Sequence, residues 1–238
     1  MIIAVAGTFI GCIIGFIVGI LQTIPISKKD SVVKKCAVYL IRGIMNIYVE
    51  VFRGTPMMVQ AMFIFYGIAQ YSGIVMNMWF AAILIVSINT GAYMAETVRG
   101  GIISVDPGQT EGAKAIGMTH YQTMVYVILP QAFRNILPQI GNNLIINIKD
   151  TCVLSVISVV ELFFQTKTVT GAYYLFFEPF TITMIIYLFL TVTCSRLLRL
   201  LEKKLDGNMN YDLATTDTLM HTSGMIRFGE RKENRDGK

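Results

Sequence analysis

Gly54 to Ala95 is a run of 42 residues without a single charged side chain. Few structures tolerate such a run. A bilayer hydrocarbon core takes roughly 20 helical residues, so the run predicts two membrane spans joined by a turn. Tyr71-Ser72-Gly73 and Asn77 supply the turn residues. The spans then fall near Thr55–Gln70 and near Met78–Val98. The first of them can start as early as Tyr39 and bend at Gly54-Thr55-Pro56, because proline removes a backbone donor. Met1 to Ser27 is also uncharged. It lacks the basic leading region of a signal peptide and exceeds the length of that peptide's apolar stretch, so it reads as a span. A fourth apolar region runs from Ile136 to Phe164, interrupted by Lys149-Asp150, and a fifth from Pro179 to Leu198. The expected fold is all-α, with five transmembrane helices.

Only 15% of the 238 residues are charged, against about 25% in soluble domains. That argues against a soluble enzyme, and the 54% of hydrophobic residues argues against a disordered chain. Four cysteines without a Cys-x-x-Cys pair are no disulfide scaffold. Cys12 and Cys194 sit in apolar runs as small hydrophobes. Two histidines are too few for a histidine-built zinc site, and no metal site is expected. The net charge of +5 does not imply a nucleic-acid partner, because the basic residues bracket apolar runs instead of forming a stripe. Lys28, Lys29, Lys34, Lys35 and Arg42 fill the first loop. Lys114 and Arg134 lie in the third, with Arg99 at its edge, and Arg196, Arg199, Lys203 and Lys204 follow the last span. The second loop has no lysine or arginine, and the fourth has Lys167, with Lys149 near its edge. Positive loops stay cytoplasmic, which puts the N-terminus outside and the C-terminus inside. Residues 206–238 read as a polar cytoplasmic tail, solvated and without a packed core. Gly7, Gly11, Gly15 and Gly19 share one helix face, a spacing that admits a second helix at close range.

The loop from Gly100 to Arg134 is long enough to expect function. Asp106 can cap a helix with Pro107 at its first position. That helix runs through Glu111, Ala113 and Ala115 to Gly117, which can adopt the left-handed conformation that ends it. Thr119 and Gln122 have capping-box spacing for a second short helix, which Leu129-Pro130 is expected to stop. The product is a helix–glycine–helix hairpin without a nucleophile–base pair. It is suited to docking in a groove on another protein and poorly suited to bond chemistry. An ordinary connecting loop is the plainer alternative.

Glu111-Gly112-Ala113, then Gly117, then Val127-Ile128-Leu129-Pro130 resembles the EAA loop of ABC importer permeases, with Gly112 in place of alanine and Val127 in place of isoleucine. The segments Glu50-Val51-Phe52-Arg53-Gly54-Thr55-Pro56, Asn89-Thr90-Gly91-Ala92-Tyr93 with Glu96, Arg99-Gly100-Gly101-Ile102, and Lys149-Asp150-Thr151 with Leu154-Ser155-Val156-Ile157 resemble the polar amino-acid branch of that family. The likeness extends from about Gly15 to Leu205. Family members usually begin some residues upstream of where Met1 falls, which implies either a short first span or a different start.

The resemblance implies a type I ABC importer permease fold over residues 1–205, in a bacterial cytoplasmic membrane and surrounded by its lipid. It implies a second permease subunit, identical or not, and an extracytoplasmic substrate-binding protein. It also implies a cytoplasmic ABC ATPase docked through Glu111, Gly112, Ala113, Gly117, Leu129 and Pro130. ATP and its magnesium would belong to that ATPase. This chain has no Gly-x-x-x-x-Gly-Lys-Ser/Thr loop to cradle nucleotide, so it is expected to have no cofactor and no catalytic residue.

Asn89, Tyr93 and Glu96 fall at i, i+4 and i+7, on one helix face. An ionisable residue inside a span is a functional candidate. Glu96 can hold the ammonium or a cationic side chain of an amino acid, with Asn89 and Tyr93 bonding its polar ends. Equally, Glu96 can pair with Arg99 at i+3. Asn142, Asn143 and Asn147 are a second polar set, to line the path or to bond between helices. Lys149 and Asp150 mark a break in their segment, and Arg53 and Thr55 read as satisfying backbone groups at the kink. A stand-alone secondary transporter or channel is the rival function. It would need no docking hairpin and would tend to show inverted repeats, which are not found. A membrane-embedded enzyme would need clustered His, Asp or Ser at membrane depth, which are absent.

Overall fold

The structure, a computed structural model, describes residues 1–24, 26 and 31–205. Residues 206–238 form a separate unit outside the described residues. The polar tail expected from the sequence thus lies outside the described residues, as do Lys28 and Lys29 of the first loop. The described residues fold as helices without a strand.

Helix α1 (Ile2–Thr23) and α4 (Met78–Ile103) form the centre. The glycine face of α1 explains their closeness. A methyl group on Gly7, Gly11, Gly15 or Gly19 would fall 2.5 Å from Val86, 2.7 Å from Thr90, 2.3 Å from Met94 or 2.7 Å from Val98. Lipid offers no hydrophobic drive between helices, so close backbone approach and dispersion hold such a pair. Helix α2 (Val32–Gly54) stops at Thr55-Pro56, and α3 (Met57–Ser72) follows, the bend expected from the proline. Gly73 at φ +69° ends α3, and the Asn77 side chain accepts from the amides of Trp79 and Phe80 to start α4.

After α4 come α5 (Pro107–Ala115), the short α6 (His120–Gln122), a π-helical stretch (Thr123–Ile128) and α7 (Leu129–Asp150). Pro130 does not stop the second hairpin helix, contrary to expectation. The Leu129 amide bonds five residues back, to the Met124 carbonyl. The widened turn makes room for the Pro130 ring beside it, and the chain continues helically. Helix α7 ends at Lys149-Asp150, where a break was expected, and passes through a 3₁₀ segment (Thr151–Ile157) to α8 (Leu162–Tyr173) and α9 (Phe177–Leu205).

Helix α7 closes onto the central pair through amides. Asn147 donates to Thr8 Oγ1 at 2.7 Å and Thr90 Oγ1 at 2.9 Å, joining three helices, and Asn143 reaches the Met94 sulfur at 3.0 Å. These two asparagines bond between helices. Interhelical hydrogen bonds in membranes contribute about 0.6 kcal/mol each, up to about 1.7. Asn147→Leu, which removes two of them, is therefore expected to lower stability by about 1–3 kcal/mol. A thermal-unfolding midpoint in detergent checks this, and an unchanged midpoint would mean the triad holds nothing.

Among the described residues, α1, α4 and Phe177–Lys204 are long and apolar enough to cross a membrane. The segment His120–Ile157 with α8, bent by 53°, gives a fourth if taken as one span. Helix α3 has 16 residues, short of a straight span, and its neighbour α2 carries Lys34, Lys35, Arg42, Glu50 and Arg53. Charge-free runs predicted five spans; helix length and composition alone support three or four.

Candidate functional site

Two features stand apart from the packed core. The first is the hairpin after α4. Asp106 Oδ1 accepts from the Gly108 amide at 2.6 Å and Pro107 opens α5. Gly117, at φ +86°, turns the chain. Thr119 and Gln122 then form a reciprocal capping box. Every capping residue expected from the sequence is in its expected place. Ala113 is buried, whereas Glu111, Gly112 and Gly117 are exposed. Leu129 is half-buried and Pro130 exposed, where the hairpin returns into α7.

The second is a polar cleft of about 450 Å³ between the end of α1, α2 and the end of α4. Glu96 is one of its lining residues. Its Oε2 accepts from Arg99 Nε and its Oε1 from Arg99 Nη2, one turn away, and Arg53 Nη1 stands 3.9 Å from Oε2. Arg53 also lies 5.6 Å from the centre of the Tyr93 ring, within cation–π reach. Arg53 therefore does not serve the kink, as the sequence suggested; it crosses to α4. Thr55 does serve it, donating to the Val51 carbonyl at 2.8 Å.

Asn89, two turns before Glu96, bonds to other partners. Its amide donates to the Phe52 carbonyl and to Gln60 Oε1, at 3.2 and 3.0 Å. Gln60 in turn donates to Phe52 O, Thr55 O and Thr55 Oγ1. Those carbonyls lose their helical donors at Pro56, and Gln60 supplies replacements. The sequence reading overlooked it. A glutamine four residues after the proline, within a charge-free run, was the available signal. Of the three predicted contact residues, only Glu96 lines the cleft; Tyr93 stands beside it through the Arg53 contact, and Asn89 braces the α2–α3 break. Glu161 was also overlooked. It caps α8 through the amides of Phe163 and Phe164 and accepts from the Tyr187 hydroxyl at 3.0 Å.

Residues 39–207 match the family described as "Binding-protein-dependent transport system inner membrane component". The chain belongs to this family. It covers α2 from Tyr39, the hairpin and every later helix of the first unit. Among curated relatives of this permease family, the nopaline transport system permease protein of Agrobacterium fabrum is 36% identical over 84% of each chain. The glutamine transport system permease protein of Escherichia coli is 33% identical over 85% of this chain and 88% of its own. The arginine transport system permease protein of Bacillus subtilis is 33% identical over 84% and 87%. A crystal structure of an amino acid ABC transporter with histidines superposes at TM-score 0.74 with 37% identity, covering 85% of this chain and 88% of that one. The MetNI methionine ABC transporter, at TM-score 0.64 and 19% identity over 85% and 89%, shares the fold. The chain is accordingly an ABC-type permease component, as the loop motif implied.

Proposed function

We infer that this permease carries a polar amino acid inward across a bacterial cytoplasmic membrane, driven by a separate ATPase that docks on the hairpin. The observation that carries this reading is the hairpin itself. Its caps and the Gly117 turn fix a rigid projection with no chemistry of its own. The named substrates of the relatives are nopaline, glutamine and arginine, which supports polar amino acids as the class. A second permease subunit completes the path, and an extracytoplasmic binding protein supplies the substrate. ATP and magnesium are handled by the ATPase. The test is co-purification with the ATPase followed by substrate-stimulated hydrolysis in liposomes. Transport with no ATPase present would establish the secondary-carrier reading instead.

In this reading α2 and α3 together make the second of five spans, the broken α7–α8 segment makes the fourth, and the N-terminus is outside with the C-terminus inside. Terminal tags probed by protease in intact cells are expected to show cleavage at the N-terminus only. Cleavage of a C-terminal tag from outside would reverse the orientation.

Tyr93, Glu96 and Asn89 are assigned to the substrate path, Glu96 directly at the polar cleft, Tyr93 beside it through Arg53, and Asn89 through the break it holds. Glu96→Gln leaves Arg53 and Arg99 facing a neutral amide. A hydrogen bond to a charged group contributes about 1.5–3 kcal/mol, so uptake is expected to fall at least tenfold while membrane abundance stays near wild type. Equal uptake of every polar amino acid tested would remove Glu96 from the path.

A further inference from the structure

We propose that the polar cleft binds the transported amino acid as a zwitterion, its carboxylate on Arg53 and its ammonium on Glu50, and that it favours side chains without positive charge. On α2, Arg42, Asn46, Glu50 and Arg53 line the cleft. They fall at i, i+4, i+8 and i+11, so they form one stripe, about 16 Å long at roughly 1.5 Å per residue. Gln22 of α1 and Glu96 and Arg99 of α4 line it from the other helices. Ionisable residues inside spans mark substrate paths. A volume of about 450 Å³ falls in the range of small-ligand sites, roughly 300–1,000 Å³.

The lining groups differ in what they have already bonded. Glu96 is occupied, because Arg99 takes both of its oxygens. Arg53 stands 3.9 Å from it, beyond hydrogen-bond distance, and its contact with the Tyr93 ring consumes no N–H. Glu50 and Arg53 are one turn apart and therefore neighbours, yet among the described residues no ion pair joins them. Three buried side-chain polar atoms lack a partner among the described residues, and two of them, Arg42 Nε and Gln22 Oε1, belong to this cleft. Both side chains are otherwise held: Gln22 Nε2 donates to Asn46 Oδ1 at 2.9 Å and Arg42 Nη2 to the Ile24 carbonyl. A buried donor or acceptor without a partner costs stability. The donor suits a carboxylate and the acceptor an ammonium, the same two ends that Arg53 and Glu50 suit. Three guanidinium groups and two carboxylates line the cleft, an excess of one positive charge. A bare anion would leave Glu50 unanswered, and a cationic side chain would add to the excess. Glu96 then balances Arg53 and Arg99 and does not meet the ammonium.

The inference rests on the amino-acid permease reading, and its readout needs no transport. The complete transporter, purified in detergent and free of any binding protein, is equilibrated by dialysis with radiolabelled glutamine, glutamate or arginine. The wild type is expected to bind glutamine or glutamate about tenfold more tightly than arginine. The tighter ligand is then compared with its α-carboxamide and with the same compound lacking its amino group. Arg53→Gln is expected to bind the amino acid about tenfold more weakly, the loss of one charge-assisted contact, and to lose the preference over the α-carboxamide. Glu50→Gln is expected to lose the preference over the amine-free compound instead. Arg53→Lys, which keeps the charge, is expected to keep the preference over the α-carboxamide. It and Glu50→Gln decide the matter if Arg53→Gln fails to accumulate. The proposal is overturned if the wild type binds none of the three amino acids saturably or binds arginine most tightly. It is also overturned if Arg53→Gln or Glu50→Gln keeps the preference it should lose. ATP-driven uptake in liposomes, measured on the same preparations, reports the permease reading separately.

Discussion

Gly117→Asp is expected to yield a permease that inserts and accumulates normally but has lost its hold on the ATPase. Gly117 sits at φ +86°. The left-handed region costs a residue with a β-carbon roughly 1–2 kcal/mol. Nothing lies within 4 Å of where that carbon would stand, so no clash disturbs the bundle and the cost falls on the hairpin's angle alone. A shift of about 1.4 kcal/mol reduces the docking-competent hairpin about tenfold. The added carboxylate, on the surface that already carries Glu111, must also be desolvated on docking. Co-purification with the ATPase and substrate-stimulated hydrolysis are both expected to drop tenfold or more. Gly117→Ala separates the contributions, since it keeps the backbone strain without the charge. Wild-type coupling in Gly117→Asp would move the docking function away from this loop.

Gly15→Val should act at the opposite extreme, on the fold itself. A methyl group on Gly15 would fall 2.3 Å from the Met94 β-carbon, 2.8 Å from the Met94 carbonyl carbon and 2.9 Å from the Ala95 amide nitrogen. Two of those three atoms are backbone, so no rotamer change relieves the clash, and α1 must move off α4. Overpacking a well-filled site costs about 1–3 kcal/mol and occasionally more. Separating these helices also draws Thr8 and Thr90 away from Asn147. The variant is expected to fall to a small fraction of wild-type abundance in the membrane. Gly43→Val, at a helical glycine with open space around it, is the control and should accumulate normally. Equal abundance of the two variants would show that the α1–α4 contact is not what the chain depends on.

The two variants mark what could be read from residues alone. Short-range geometry was legible. The glycine repeat on α1, the caps at Asp106 and Thr119, the turn at Gly117 and the break at Pro56 each depend on neighbours within a few positions. Partner choice across the chain was not. Nothing near Arg53 distinguishes a side chain that serves its own kink from one that crosses to Glu96 and Tyr93. Glu96 had two readings of equal standing, and which guanidinium groups surround it is fixed only once α2 lies against α4. Pro130 misled for a different reason. A proline is a helix stop only if the preceding turn is α-helical, and the wider turn before it has no pattern in the residues. Gln60 and Glu161 escaped notice because each satisfies a backbone end far more local than a substrate path, and single polar residues in apolar runs draw attention only in groups.

The pairing of α1 with α4 also sets a timetable. The glycine face of α1 enters the bilayer about 80 residues before α4 has been made. At roughly 5–20 residues per second, that leaves a nascent helix in lipid for roughly 4–16 s with its closest-fitting surface bare. The two intervening helices reach the membrane first and must not claim that stripe. Its four-residue spacing of glycines acts as a form of reservation, because a helix with bulkier or differently spaced side chains gains little by settling there. Asn147 arrives later still, after the Thr8–Thr90 pair that receives it is complete. Order of synthesis and order of assembly therefore differ in this chain, and the glycine stripe keeps the place open.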